Sequence, residues 1–223
     1  MRLMLATAAS LAAIALGSCE SLTSRPKPQP SPVEVVTTKA DAWLRIASAA
    51  DRGRIDRVAS AWVDGLAEAR VGAGREAIAE EGDLLKPAAA LARPAPTPGS
   101  YRCRLITLGR LAGKGPRFEK YKPFFCYIEV EDDLFTIVKQ TGSQRPAGRL
   151  WEDDIATRLV FLGTLALGSE EEARAYGDDP KRDMAGIFER VGPFRWRLVI
   201  PYPQDGAKLD IFELTPVADQ PAS

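Results

Sequence analysis

Tyr101-Arg102-Cys103-Arg104-Leu105-Ile106-Thr107-Leu108 and Phe124-Phe125-Cys126-Tyr127-Ile128-Glu129-Val130 decide the fold. Both are rich in β-branched and aromatic residues and are bounded by turn formers, the pattern of neighbouring strands. Pairing Cys103 opposite Cys126 sets Leu105 by Phe124 and Tyr101 by Ile128 on one apolar face. The other face then brings Arg104 to Phe125 and Arg102 to Tyr127, where guanidinium groups can lie over rings. One register thus aligns the cysteines, segregates polarity and predicts a disulfide between Cys103 and Cys126. The loop it closes, about 24 residues, corresponds to roughly 3 kcal/mol on the chain-entropy model.

Downstream, further strand-like runs occupy 134–141, 147–151, 159–165, 185–191, 196–201 and 209–214. About eight short strands in succession predict an up-and-down antiparallel barrel or a strongly curled sheet, because closure removes exposed edges. One interruption reads as helical, with Ser169-Glu170-Glu171-Glu172 as a capping box and Gly177 at its far end. Upstream, 39–86 is helical in character. Ser48 and Asp51 form a second capping box, and Ile55, Val58, Ala59, Trp62, Val63 and Leu66 recur at helical spacing. Gly72 and Gly74 are expected to end that helix, with a short one over 75–81. Arg93-Pro94-Ala95-Pro96-Thr97-Pro98-Gly99 then serves as a rigid connection. The fold class is α+β: an N-terminal helical segment packed on an antiparallel, barrel-like sheet of about eight strands.

The N-terminus gives an address. Met1-Arg2 precedes an apolar stretch, 3–16, of about 14 residues. That suits a signal peptide and falls short of the ~20 needed to span a bilayer. Leu16-Gly17-Ser18-Cys19 resembles the lipobox of bacterial lipoproteins, which implies cleavage before Cys19 and its lipidation; ordinary cleavage at an Ala-x-Ala-like site is the rival. Two or more acyl chains anchor stably. Glu20, where an aspartate would retain a lipoprotein in the inner membrane, implies the outer membrane. Arg25-Pro26-Lys27-Pro28-Gln29-Pro30-Ser31-Pro32 favours polyproline II and reads as a tether. At ~3.1 Å per residue, the roughly 20 residues after Cys19 reach up to ~60 Å. The expected organisation is a lipoprotein signal peptide 1–18, a Pro-rich tether 19–40, a helical segment 41–92, an antiparallel β-barrel-like domain 93–216 and a disordered tail 217–223. The expected location is the cell envelope, as an exported outer-membrane lipoprotein facing the periplasm or the surface. The membrane is its partner through the anchor, alongside an unknown ligand or envelope protein.

Composition narrows the chemistry. The 30 Lys+Arg against 30 Asp+Glu give a formally neutral chain, without the basic surplus of a nucleic-acid binder. There is no histidine. Ser-His-Asp and Cys-His catalysis and His-based zinc sites are therefore excluded, and the three cysteines are already assigned. Carboxylate chemistry, a Ser-Lys pair, oxygen-ligated cations or plain binding remain, and the catalytic residues are unknown. The stretch from Lys139 to Trp151 holds glycines, hydroxyls and three cations, which could form an anion-binding loop through Ser143, Arg145 and Arg149; a hairpin with Gly142 at its turn explains it equally. It is not a P-loop, since its lysine precedes the glycine. Trp196 could stack on a ligand or pack in the core. The clusters Glu152-Asp153-Asp154 and Asp178-Asp179-Pro180 fit turns and lack the spacing of a calcium loop. No metal and no cofactor is expected.

Pro94-Ala95-Pro96-Thr97-Pro98-Gly99-Ser100-Tyr101-Arg102-Cys103-Arg104, the stretch Thr141-Gly142-Ser143-Gln144-Arg145-Pro146-Ala147-Gly148-Arg149-Leu150, and that from Tyr176 to Leu198 resemble a bacterial family, domain of unknown function 4893. The resemblance runs from Asp41 to Pro216. It implies an exported protein of this size and carries no catalytic residues. In architecture, a lipid-anchored small barrel with one disulfide is similar to the periplasmic lysozyme-inhibitor lipoproteins, and fold alone fixes no function. The leading expectation is a non-enzymatic binding module for a small ligand, a wall fragment or a protein. A glycan-acting hydrolase using carboxylates, or a structural component of an envelope complex, are the alternatives.

Overall fold

Alternation of apolar and polar residues along successive short strands closes here into a barrel. The computed structural model describes residues 38–110, 114–140, 144–168, 170 and 173–217. Cys19, the signal peptide and most of the tether lie outside them, as does Ser169. The strands are β1 (Gly99–Leu108), β2 (Phe118–Lys120), β3 (Phe124–Glu131), β4 (Leu134–Lys139), β5 (Gln144–Glu152), β6 (Arg158–Leu167), β7 (Asp183–Gly192), β8 (Arg195–Pro201) and β9 (Leu209–Pro216). From β3 onward each pairs antiparallel with the next, β1 pairs with β3, and β9 returns to β1 along its whole length. The result is a closed eight-stranded up-and-down barrel with β2 added at one end.

That extra strand changes the seam. β1 pairs with β3 only as far as Cys103↔Phe124, then takes β2 as its partner at Ile106↔Lys120, Thr107↔Glu119 and Leu108↔Phe118. β2 thus continues the line of β3 along the same edge of β1 past a one-residue bulge, and the Tyr121 N–H donates to the Leu105 carbonyl at 2.9 Å within it. Three residues are too few to show a period, so β2 is absent from the sequence reading.

A disulfide joins Cys103 and Cys126, with Cα atoms 6.0 Å apart. The register around it corrects the expected one. Cys103 lies opposite Phe124 and Tyr101 opposite Cys126, two residues from direct opposition. A shift of two keeps every side chain on its face, so both cysteines still point into the barrel and bond diagonally. The cation–ring pairs are lost, however. Arg104 turns to the other neighbour and binds Glu213 of β9 and Glu81. Replacing both cysteines by alanine is expected to cost roughly 3 kcal/mol, read as a lower urea midpoint at an unchanged slope. A midpoint shift of under ~0.5 kcal/mol equivalent would show that the closed barrel alone restrains this loop.

Three helices, α1 (Asp41–Ile46), α2 (Ala49–Asp56) and α3 (Val58–Ala79), cover one side. Ser48 caps α2 by accepting from the Asp51 N–H, as its capping box predicts. The chain does not run on as one helix, because Arg57 leaves the helical region between α2 and α3 (φ −96°, ψ 13°). Gly74 breaks the helix as expected (φ 80°, ψ 170°), Gly72 stays within it, and a short helical stretch follows to Ala79. The buried stripe is Val58, Ala61, Trp62, Gly65, Leu66 and Ala69, while Ala59 and Val63 face solvent. Small residues at positions 61, 65 and 69 bring the helix close to the sheet. A Cβ on Gly65 would stand 3.0 Å from that of Leu108.

This layer buries the outer faces of β1 and β6–β9 through Ile106, Leu108, Val160, Ile187, Val199 and Ile211. Those strands are apolar on both sides, hence the unbroken Leu159-Val160-Phe161-Leu162 run. β3 and β4 keep one solvated face, with Phe125 and Tyr127 exposed. Asp153 accepts from the Trp43 indole, and Asp154 accepts from the Lys39 and Ala40 N–H groups. That turn thus pins the start of the helical layer. The predicted helix after Ser169 is not seen in its described part, since 173–175 are irregular. Glu170 is instead engaged by Arg182 and by the Leu167 N–H.

Candidate functional site

Inward-pointing side chains fill one end of the barrel and leave the other open. At the filled end Trp196 meets Tyr101 edge to face, ring centroids 5.9 Å apart. The Trp196 indole donates to the Pro94 carbonyl at 3.0 Å and the Tyr101 hydroxyl to Thr97 at 2.5 Å. The proline-rich connection is thus strapped across that end. Phe161 fills the middle, its ring against the paired Gly148 and Gly163, where an added Cβ would come within 2.7 Å of it.

The open end leads into a cavity of about 650 Å³, within the ~300–1,000 Å³ usual for small-molecule sites. Leu105, Phe124, Leu165, Met184, Ile200 and Phe212 form its apolar wall. The bulge between β2 and β3 supplies part of the lip, bringing Tyr121 and Lys122 to the mouth. Charged side chains, among them Lys122, Lys181, Arg182, Asp183 and Asp205, line it as well, and four polar groups come from separate strands: Thr107 on β1, Lys139 on β4, Gln144 on β5 and Asp210 on β9. Each occupies an inward position at the open end of its strand.

Asp210 is buried, and Thr107 donates to its carboxylate at 2.5 Å. Burial pushes the Asp210 carboxyl up to about 7, repulsion from Asp205 adds to this, and the Thr107 hydrogen bond opposes it. Near neutrality the group is therefore a partly protonated acid. Tyr121 donates to Glu119 at 3.0 Å, and burial together with that bond pushes its hydroxyl up to about 12. Lys139 has its ammonium 4.2 Å from the centre of the Phe124 ring, and burial pulls its pKa below the usual lysine value.

Profile comparison places these elements in a family: Domain of unknown function (DUF4893) matches residues 43–214. The chain belongs to this family. The match begins in α1 and ends in β9, so the family unit is the helical layer together with every barrel strand. No curated protein and no solved structure matches the chain.

In this family member the residues singled out from sequence fall in separate places. Trp196 sits inside the plugged end and does not line the cavity. Arg145 and Arg149 project outward from β5, Arg145 donating to the Glu170 carbonyl and Arg149 lying 3.6 Å from Glu131 and 3.5 Å from Asp132. Ser143 lies outside the described residues, although its neighbour Gln144 reaches the cavity. As site residues, Thr107 and Asp210 have no place in the sequence reading, and Lys139 enters it only as one of the three cations of the 139–151 stretch. Their signal was present: each is a polar break in an otherwise apolar period-two face, as in Asp210, Phe212, Leu214 and in Phe135, Ile137, Lys139.

Proposed function

We propose that this protein is a lipid-anchored envelope component whose barrel binds a small, largely apolar ligand without transforming it. The observation that carries the reading is the cavity, open at one end, with largely apolar walls and polar groups set on separate strands. Those walls suit a ligand with a hydrocarbon body better than a hydroxyl-rich wall glycan. The lipobox-like ending at Cys19 supports the anchor, and the Cys103–Cys126 disulfide fits an oxidising compartment outside the cytoplasm.

Native mass spectrometry of the protein taken from its own envelope tests the reading. A bound small molecule is expected on the wild-type chain and is expected to be lost from Met184→Trp, which fills the cavity, provided that variant melts cooperatively. Leu165→Phe serves as a milder filling variant. No bound mass, together with turnover of wall glycans blocked by a single carboxylate substitution, would replace binding by hydrolysis.

A further inference from the structure

The mouth of the cavity is not electrically uniform. Lys122, Lys139 and Lys181 line it from three different parts of the chain, and none of them forms an ion pair among the described residues. The two arginines beside them are occupied: Arg54 is paired with Asp51, and Arg182 with Glu170 at 2.5 Å and Asp179 at 3.3 Å. The lining acids stand elsewhere, Asp183 at the start of β7, Asp205 before β9 and Asp210 within it, and two strands lie between β4, which carries Lys139, and either β7 or β9.

Lys139 differs from the other two lysines. Lys122 and Lys181 are exposed, whereas Lys139 is half-buried and points inward between Phe124 and the apolar wall. A cation held there without a counter-ion pays desolvation that a ring face recovers only in part. An anionic group arriving from the cavity would restore what the protein withholds. Leu105, Leu165, Met184 and Phe212 beyond it offer hydrocarbon contact, and each buried methylene there contributes about 0.8 kcal/mol.

We propose that the cavity takes a single-chain anionic amphiphile, its carboxylate or phosphate head on the Lys139 ammonium and its alkyl chain along Leu105, Leu165, Met184 and Phe212. This rests on the cavity being a binding site and adds the chemistry of what it binds. Lys122 and Lys181 reinforce the field at the entrance and steer anions inward. Gln144, next to the mouth, is a neutral donor within the same lining.

Calorimetry on the full chain, with dodecanoate, dodecyl phosphate and 1-dodecanol as probes below their aggregation limits, tests this directly. The two anions are expected to bind more tightly than the alcohol, and the tighter of them tells a fatty-acid-like head from a phosphate one. Lys139→Met, which keeps the apolar stem, is expected to weaken both anions about tenfold or more and to leave the alcohol within about twofold. Lys139→Arg is expected to keep most of the anion affinity. Anions that bind no better than the alcohol, or an anion affinity untouched by Lys139→Met, would overturn the head-group assignment while leaving the cavity as a site. Failure of all three probes, with nothing bound in native mass spectrometry, would remove both.

Discussion

Arg197→Met is expected to destabilise the fold by about 3–5 kcal/mol, the range for breaking a buried ion pair from one side. For a chain of this size that corresponds to a fall in Tm of about 6–20 °C. Arg197 is fully buried on the outer face of β8, beneath the helical layer. Its Nε donates to Glu189 at 2.7 Å. Its terminal nitrogens donate to the carbonyls of Asp83 at 3.3 Å, Leu84 at 2.9 Å, Lys86 at 2.8 Å and Pro87 at 3.0 Å. The guanidinium also lies 4.8 Å from the centre of the Trp62 ring. One side chain therefore satisfies the two short 3₁₀ turns at Gly82–Leu85 and Pro87–Ala89, neutralises Glu189 and seats α3. Methionine fills much of the volume and none of these bonds, stranding a buried carboxylate and several carbonyls. Adding Glu189→Met to Arg197→Met should recover part of the loss, because the stranded charge goes with it. An Arg197→Met protein within about 1 kcal/mol of wild type in urea unfolding would show that these turns hold without their cation.

The second large effect is on pH. With its carboxyl near 7 in the fold against 3.8 as the ordinary value, Asp210 holds its proton more tightly folded than unfolded. Between those values the native state binds more protons, so this group's contribution to stability falls as pH rises from about 4 and levels off above about 7. At up to about 1.4 kcal/mol per unit, with the slope halved by pH 7, the change is about 2 kcal/mol between pH 5 and 7. Glu81 acts in the opposite sense. Burial pushes it up, but bonds from Arg104 and Lys120 outweigh this and hold it below the usual value, so its stabilisation is lost only on acidification. Asp210→Asn is therefore expected to gain on wild type by about 2 kcal/mol between pH 5 and 7 when both are unfolded in urea. A constant gap across that interval would mean that water reaches the Asp210 carboxylate freely.

Eight strands were legible because period-two patterning and turn residues are local signals. The reading of each lies within two or three residues of the structure, from Tyr101 at the start of β1 to Leu214 near the end of β9. Less legible was whatever depends on partners distant in sequence. Aligning Cys103 with Cys126 seemed to satisfy Arg102 and Arg104 with rings. The true register satisfies Arg104 from β9 and Glu81, which no local window contains. The helix stripe was read from large side chains, while Ala61, Gly65 and Ala69 make the close contact. The arginine-rich stretch drew attention for its charge, yet positions 145 and 149 of β5 point outward. Thr107, Lys139, Gln144 and Asp210 are single residues on four strands, and only barrel closure brings them to one mouth.

The bulge between β2 and β3 has a mechanical consequence. A closed barrel has no free edge, so its ladder is weakest where the register breaks, between Leu105 and Phe124. Loosening that starts there and runs down the β1–β3 seam first meets the covalent link between Cys103 and Cys126. The disulfide thus works as a rivet beside the irregular step, and it keeps such loosening away from Tyr101, Trp196 and the plugged floor.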